Sequence, residues 1–541
     1  MWTQIYDPMN SIFLSALISA IPMVYYLWAL AIKRMKGHIA GITTVLLSII
    51  IAILVYGMPI NLALLTTGYG ALYGIWPISW IIVTAVFLYK ITVKTGQFDI
   101  IRSSVVTITE DRRLQALLIA FSFGAFLEGA AGYGTPVAIS AALLVGLGFE
   151  PLYAAGLALI ANTAPVAFGA IGIPVIVAGN TTGIDPFLIS QMVGRQLPFL
   201  SFFVPFWLVF IMSGWKGTKE VMPAILVSGG SFAIAQYFTS NFIGPELPDI
   251  TSALFSLVAT ALFLKVWKPK TIFRFKNETV KTSTQNHQTY TTGQIIKAWS
   301  PFILLTAFII IWGIPSIKNI LGQTTIKFHI PGLDKAVMQT APIVTKATPY
   351  AAVFKFDWLA AAGTAILLAA FISKFIVGMS MRDWLNTFAE TLNELKFPII
   401  TISSVLGLAY IYNYAGMSGT LGLALAKTGH LFPFFAPILG WLGVFLTGSD
   451  TSANALFGNL QKITANQIGV NPVLTVAANS SGGVTGKMIS PQSIAVATAS
   501  TGLVGKEGDL FRFTFKHSIM FVIIISIMTY VQAYFLSWMI P

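Results

Sequence analysis

The chain contains no cysteine. That excludes disulfides, thiolate metal sites and cysteine nucleophiles. Charge is scarce too: 9% of the 541 residues are Asp, Glu, Lys or Arg, against roughly 25% in a soluble domain. Water therefore cannot be the solvent for most of the surface. The five histidines, His38, His287, His329, His430 and His517, do not cluster with Asp or Glu at metal-ligand spacing, so no metal site is expected. A GxxxxGK[ST] loop is missing, as is room for a soluble nucleotide domain, which excludes an ATP-driven pump. Asp-rich or His/Asp clusters of a membrane-embedded enzyme are missing as well, so no catalytic residue is assigned and the chain is read as a non-enzyme.

What is present is apolar sequence. Hydrophobic residues make up 56% of the chain, and the mean hydropathy is +0.79. Apolar runs such as Ser11–Ile32, Ile39–Met58 and Tyr69–Tyr89 match the ~20 residues needed to cross a hydrocarbon core. They are continuous and rich in Leu, Ile and Ala, without the alternation of barrel strands. The expected fold class is an all-α polytopic membrane protein. The net charge of +13 does not imply nucleic acid. Lys33, Arg34 and Lys36 follow the first span, Lys90, Lys94, Arg102, Arg112 and Arg113 follow the third, and Lys265, Lys268 and Lys270 begin a later loop. Basic clusters beside span ends mark cytoplasmic loops, which places the N-terminus outside. The first span precedes its basic cluster and lacks a clear cleavage site, so it reads as retained rather than as a signal peptide. Arg195 in SQMVGRQLP reads as an interfacial anchor at a span end.

Two polar interruptions divide the chain into an N-terminal transmembrane half (1–265), a cytoplasmic connector (266–298) and a C-terminal half (299–541), with an outside loop at about 316–356. Each half carries a similar pattern. NTAPVAFGAIGIP at 162–174 aligns with NSSGGVTGKMISP at 479–491, pairing Asn162 with Asn479, Thr163 with Ser480, Gly169 with Gly486 and Pro174 with Pro491. Upstream, EGAAGYGTP (Glu128–Pro136) takes the place of GSDTSAN (Gly448–Asn454). Related repeats with broken or re-entrant helices at matching positions point to a secondary transporter's binding site.

Polar groups gather at those breaks. Glu128 and Asp450 each sit at membrane depth, where a charge costs at least about 2.5–3.5 kcal/mol and so usually faces a cavity. A carboxyl withdrawn from water ionises less readily and can exchange protons in a transport cycle, which makes both residues proton-coupling candidates; for Asp450 a helix cap is the competing role, since Ser449 and Thr451 flank it. A monocarboxylate needs its charge compensated, and helix N-termini offer free N–H groups and a positive dipole end. The break Gly132, Tyr133, Gly134, Thr135, with Pro136 opening a helix, fits that need. Asn162, Thr163, Asn479, Ser480 and Ser481 add amide and hydroxyl groups. Lys487 is the cation embedded in a break; it suits a carboxylate, or partnership with Glu128 or Asp450, unless it snorkels to an interface. Tyr133, Ser490 and Gln492 suit a substrate hydroxyl or carboxylate, with helix packing as the alternative. Ser449, Asp450, Thr451 and Asn479 would equally serve a sodium ion, leaving a sodium-coupled carboxylate transporter as the rival reading.

The segments LEGAAGYGTPVAIS, LTGSDTSANALFGNLQ and AANSSGGVTGKMISPQSIAVA, with the N-terminal WTQIYDP, resemble the bacterial L-lactate permease family over nearly the whole chain. The resemblance implies a multi-pass protein of the bacterial inner membrane with twelve to fourteen transmembrane helices. It implies import of L-lactate, D-lactate and glycolate by proton symport, with the proton as coupling ion, no other cofactor, and a hydroxy-monocarboxylate and the lipid bilayer as partners. Re-entrant hairpins are the architecture expected from similar ion-coupled carboxylate transporters.

Overall fold

The computed structural model describes residues 1–130, 132, 135–275, 290–504 and 506–541, with the side chains of Ala31 and Thr135 outside that set. Among the described residues, ten helices are long and apolar enough to cross a membrane. A bent pair, counted as one span, makes up to eleven, and Pro136–Gly146 and Ala362–Val377 are shorter apolar helices. The all-α reading holds for the membrane region. The ten differ in what surrounds them. In Ile12–Leu30, 33% of the most apolar window is buried, against 100% in Arg112–Ala130; the first therefore faces lipid and the second forms the centre. Leu17, Leu54 and Phe242 are among the large apolar side chains left on the outer faces, as a hydrocarbon solvent permits.

The expected connector begins after the helix Pro248–Val266 and ends in the helix Thr292–Gly313; its residues 276–289 lie outside the described set. A capping box at Thr291 and Gln294 starts the second of these helices, satisfying two end groups reciprocally. The expected outside loop is not irregular throughout. Its strand Ile326–His329 pairs antiparallel with Val353–Phe356, and Val337–Gln339 pairs with both Thr348–Pro349 and the N-terminal Trp2–Thr3. The N-terminus and this loop therefore occupy one side of the membrane.

Two hairpins dip toward the centre from opposite sides. The first consists of Arg112–Ala130 and Thr135–Gly146. Its outer end is tied at Arg112, whose N–H donates to Phe273 O just beyond the Lys265–Lys270 cluster, so it enters from the cytoplasm. The second consists of Phe432–Thr447 and Asp450–Ile468. Gln467 near its end donates to Pro342 O of the outside loop, so it enters from outside.

Behind each hairpin runs a broken helix. Pro151–Ala161 and Val166–Thr182 meet at 64°, and just beyond that break a kink holds Ala170, Ile171 and Gly172 in the left-handed region. For Ile171, a β-branched residue, that conformation is costly and persists because neighbours fix it. The second pair is Pro472–Lys487 and Pro491–Thr501. Pro472–Lys487 packs backbone to backbone on Phe432–Thr447: a Cβ at Gly482 would lie 2.6 Å from the Pro437 carbonyl carbon, and one at Gly486 would lie 3.0 Å from Phe445 N. Gly482 and Gly486 form the small-xxx-small spacing that allows such approach.

Candidate functional site

The hairpin tips and helix breaks surround one cavity of about 850 Å³. Glu128, Gly132, Gly169 and Pro174 line it from the first half, and Ser449, Asp450, Thr451, Lys487 and Gln492 from the second. Arg34, His38 and Gly508 line its other end; Arg34 and Gly508 are exposed and lie beside the basic clusters that mark the cytoplasmic face. The cavity therefore opens inward.

Glu128 sits in the last turns of the first hairpin's leading arm, and its Oε1 lies 3.7 Å from Lys487 Nζ. Lys487 ends the helix Pro472–Lys487, where carbonyl groups favour a cation. The carboxylate is seated against Gly169: a Cβ there would lie 2.6 Å from Oε1 and 3.1 Å from Glu128 Cγ. Oε2 of Glu128 is buried and unpartnered. Lys487 is thus neither snorkelling nor free.

Asp450 opens the returning arm of the second hairpin. Ser449, not Asp450, caps that helix, its Oγ accepting from Ser452 N at 3.2 Å. Asp450 Oδ2 accepts from Ser480 Oγ and, at 3.4 Å, from Asn454 Nδ2, while Oδ1 is buried and unpartnered. Asn454 also donates to Ser480 Oγ and to Pro174 O, both at 3.1 Å, which joins the second hairpin to the break of the first half. Asn479 donates to Asn454 Oδ1 at 2.9 Å and accepts from Gln461 Nε2 at 3.0 Å. Asn479 and Ser480 are therefore buried supports behind Asp450 and do not line the cavity.

The other expected residues divide. Ser490 is buried and caps Pro491–Thr501, its Oγ accepting from Ser493 N at 3.2 Å and donating to Ser493 Oγ. Asn162, Thr163 and Ser481 are buried behind the cavity wall, with side-chain polar atoms that have no hydrogen-bond partner. Thr135 starts its helix as expected; Tyr133 and Gly134 lie outside the described residues. Arg195 bonds to Asn241 Oδ1 at 2.9 Å and to Met539 O at 2.8 Å, away from the cavity, as an anchor would. Sequence reasoning missed Asn454 and Gln461, whose i, i+4 and i, i+11 offsets from Asp450 could have placed them on one helical face. It also missed Asp249, a buried carboxyl that reads in sequence as an ordinary Pro-Asp helix start.

The family model described as L-lactate permease matches residues 15–536. Glycolate permease GlcA of Escherichia coli (strain K12) is 60% identical over 560 aligned residues, covering all of this chain and 99% of that protein. L-lactate permease of Bacillus subtilis (strain 168) is 60% identical over 566 aligned residues, covering both proteins completely. Among solved structures, MtrF of Neisseria gonorrhoeae aligns over 94% of this chain and 97% of its own, with a TM-score of 0.52 at 13% identity, a likeness of fold alone. The chain is a multi-pass protein of the bacterial inner membrane, a permease rather than an enzyme, and it belongs to the L-lactate permease family.

Proposed function

We propose that this permease imports L-lactate, D-lactate and glycolate by symport with protons. The observation that carries the reading is the Glu128–Lys487 pair, 3.7 Å apart in the wall of the cavity that Asp450 also lines. A 2-hydroxy-monocarboxylate presents one negative charge and one neighbouring hydroxyl. Lys487 is the ammonium offered to that charge, and Thr451 and Gln492 are the wall groups offered to the hydroxyl and the second carboxylate oxygen. Glu128 already occupies the ammonium. Two anions beside one cation in a low-dielectric site repel by several kcal/mol, so the substrate displaces Glu128 from Lys487 with a proton on the displaced carboxyl. Anion and proton then travel together, and the cycle moves no net charge.

Asp450 is the second candidate for proton coupling, held in place by Ser480 and Asn454. The halves 1–265 and 299–541, joined by the connector 266–298, contribute one hairpin each. Equal identity to a glycolate and a lactate permease favours the 2-hydroxy-acid group shared by both names as the recognised element. Sodium coupling fits less well, because Ser449 Oγ is committed to its cap and the Asn479 amide to Asn454 and Gln461.

The test is uptake of labelled lactate into proteoliposomes under an imposed pH gradient, with glycolate, pyruvate and succinate as competitors and choline replacing sodium. Proton symport predicts accumulation that follows the pH gradient and survives choline. Accumulation that vanishes in choline assigns the coupling to sodium instead.

A further inference from the structure

Asp249 is the second residue of the helix Pro248–Val266 and is 1% exposed. Neither of its carboxyl oxygens has a hydrogen-bond partner, and it does not line the cavity. Its helix packs against the span that carries Glu128. The contact is close because Gly129 has no side chain: a Cβ there would lie 2.7 Å from Asp249 Cβ and 3.0 Å from Ile250 Cγ1. Asp249 and Glu128 are near enough to act on each other electrostatically. Glu128 Oε2 is itself buried without a partner. Three carboxyl oxygens, Oε2 of Glu128 and both of Asp249, thus lack a hydrogen-bond donor among the described residues. Leaving buried oxygens unpaired is costly, and a proton shared by the two relieves it.

Glu128 lies in the wall of the inward-open cavity, and Asp249, which does not, opens the helix Pro248–Val266 that runs to the basic cytoplasmic cluster. The short loop before Asp249 closes on the kink of the first broken helix, Glu246 N falling 3.0 Å from where a Cβ of Gly172 would be. Glu246, on that loop, interacts with Lys318 of the outer helix Pro315–Gly322. Of the described helices packed on Pro248–Val266, Arg112–Ala130 presents Glu128 at this level. Met222–Phe242 presents Tyr237, which is 39% exposed; Gly169–Thr182 presents no titratable side chain.

We propose that Asp249 is the outer member of a two-carboxyl relay, delivering the symported proton from the outer side to Glu128. The transfer breaks the O–H bond of protonated Asp249 and forms one on Glu128; Asp249 is reprotonated from outside water in the outward-open state. The proposal rests on the reading of Glu128 as the coupling acid.

Asp249→Asn, Asp249→Glu and Glu128→Gln are compared with wild type in proteoliposomes by two lactate measurements: accumulation under an imposed pH gradient, and counterflow exchange at equal pH. One-to-one coupling allows about tenfold accumulation per pH unit. Asp249→Asn is expected to lose that accumulation, and the dependence of uptake rate on external pH, while counterflow persists; Asp249→Glu is expected to recover both. Wild-type accumulation in Asp249→Asn beside loss in Glu128→Gln overturns the relay and leaves the coupling role of Glu128 intact. Wild-type accumulation in both variants overturns the relay and the proton-coupling reading together. Loss of counterflow along with accumulation in Asp249→Asn and Asp249→Glu assigns Asp249 to packing and also overturns the relay.

Discussion

Gly169→Ala moves Glu128 without removing any charge or hydrogen bond. Gly169 has φ −61° and ψ 156°, ordinary extended backbone that alanine adopts freely. Its new methyl would sit 2.6 Å from Glu128 Oε1, 3.1 Å from Cγ and 3.3 Å from the carboxyl carbon. Comfortable contact is about 3.5–4.0 Å, so the end of the glutamate must give by roughly 1 Å. The atom displaced is the one 3.7 Å from Lys487 Nζ. At an effective dielectric of about 20, a pair at that distance is worth about 4 kcal/mol, and lengthening it by ~1 Å removes about 1 kcal/mol. A side chain forced off its rotamer adds about 0.5–1.5 kcal/mol. Lactate must displace Glu128 from Lys487, so a pair weakened by about 1–2 kcal/mol should raise the apparent affinity for lactate about 5–30-fold, with little change in thermal stability. Initial-rate uptake against concentration reads the first quantity, and thermal unfolding in detergent reads the second. In a Glu128→Asp background, one methylene shorter, the same methyl should meet no carboxylate and have little effect, a non-additivity a double-mutant cycle detects. Wild-type kinetics in Gly169→Ala would refute the placement of Glu128 beside the transported anion.

Ser480→Ala removes the hydroxyl donated to Asp450, worth about 1.5–3 kcal/mol for a charged acceptor; uptake should fall by about 10–150-fold, and unchanged kinetics would place Asp450 outside the transport cycle. Gly482→Ala sets a methyl against the Pro437 backbone, which cannot swing aside as a side chain can, and should cost about 1–3 kcal/mol, seen as a lower unfolding temperature in detergent. Asn413 donates to Thr181 O at 2.9 Å and Lys462 donates to Thr182 O at 2.6 Å, which closes the outer side over the inward-open cavity. Combining Asn413→Ala with Lys462→Met should favour the outward-open state, and since the chain has no cysteine, a single Thr401→Cys in the cavity wall reports it as slower labelling from the cytoplasmic side. In the outer loop the Ala352 N–H and then His329 hold Asp334 below the ordinary carboxylate range. Its stabilisation is present above the unfolded carboxyl value of about 3.9 and is lost as pH falls through the depressed one; hydrogen-exchange protection of 326–356, relative to the intrinsic rate at each pH, should hold at pH 6 and fall only in acid.

How much of this was legible in the sequence depended on the range of the interaction. The spans follow from apolar length, a local property set by the bilayer. The cavity was legible in outline because Glu128, Asp450 and Lys487 are too costly at membrane depth to be incidental, and all three line it. Which of the surrounding hydroxyls and amides face the cavity was not legible. Ser490 and Gln492 are two residues apart in one break, yet the first is turned inward as a cap and the second lines the wall. That difference is set by the helix start at Pro491, which demands an acceptor at the preceding residue. The pairing of Glu128 with Lys487 rather than of Asp450 with Lys487 depends on how two hairpins from distant parts of the chain interlock.

The register that sets Asn162 beside Asn479 shows the same limit more sharply. Asn479 is satisfied: Asn454 and Gln461, both on the returning arm of the second hairpin, take its amide. Asn162 is buried with both amide atoms unpartnered, and so is the Thr163 hydroxyl beside it. The cause is not in either asparagine but in the arm that faces it. The second hairpin returns as DTSANALFGNLQKITANQI, whereas the first returns as TPVAISAALLVG, which carries no carboxamide and whose Ser140 hydroxyl is itself unpartnered. Two matched residues thus acquire opposite properties from unmatched surroundings. An unpaired amide in a buried site costs about 1–3 kcal/mol, so replacing Asn162 by the nearly isosteric Leu should be tolerated in thermal unfolding, whereas Asn479→Leu strands Asn454 and Gln461 and should lower stability. The reverse order would mean that the polar network around Asp450 is not what holds the second hairpin in place.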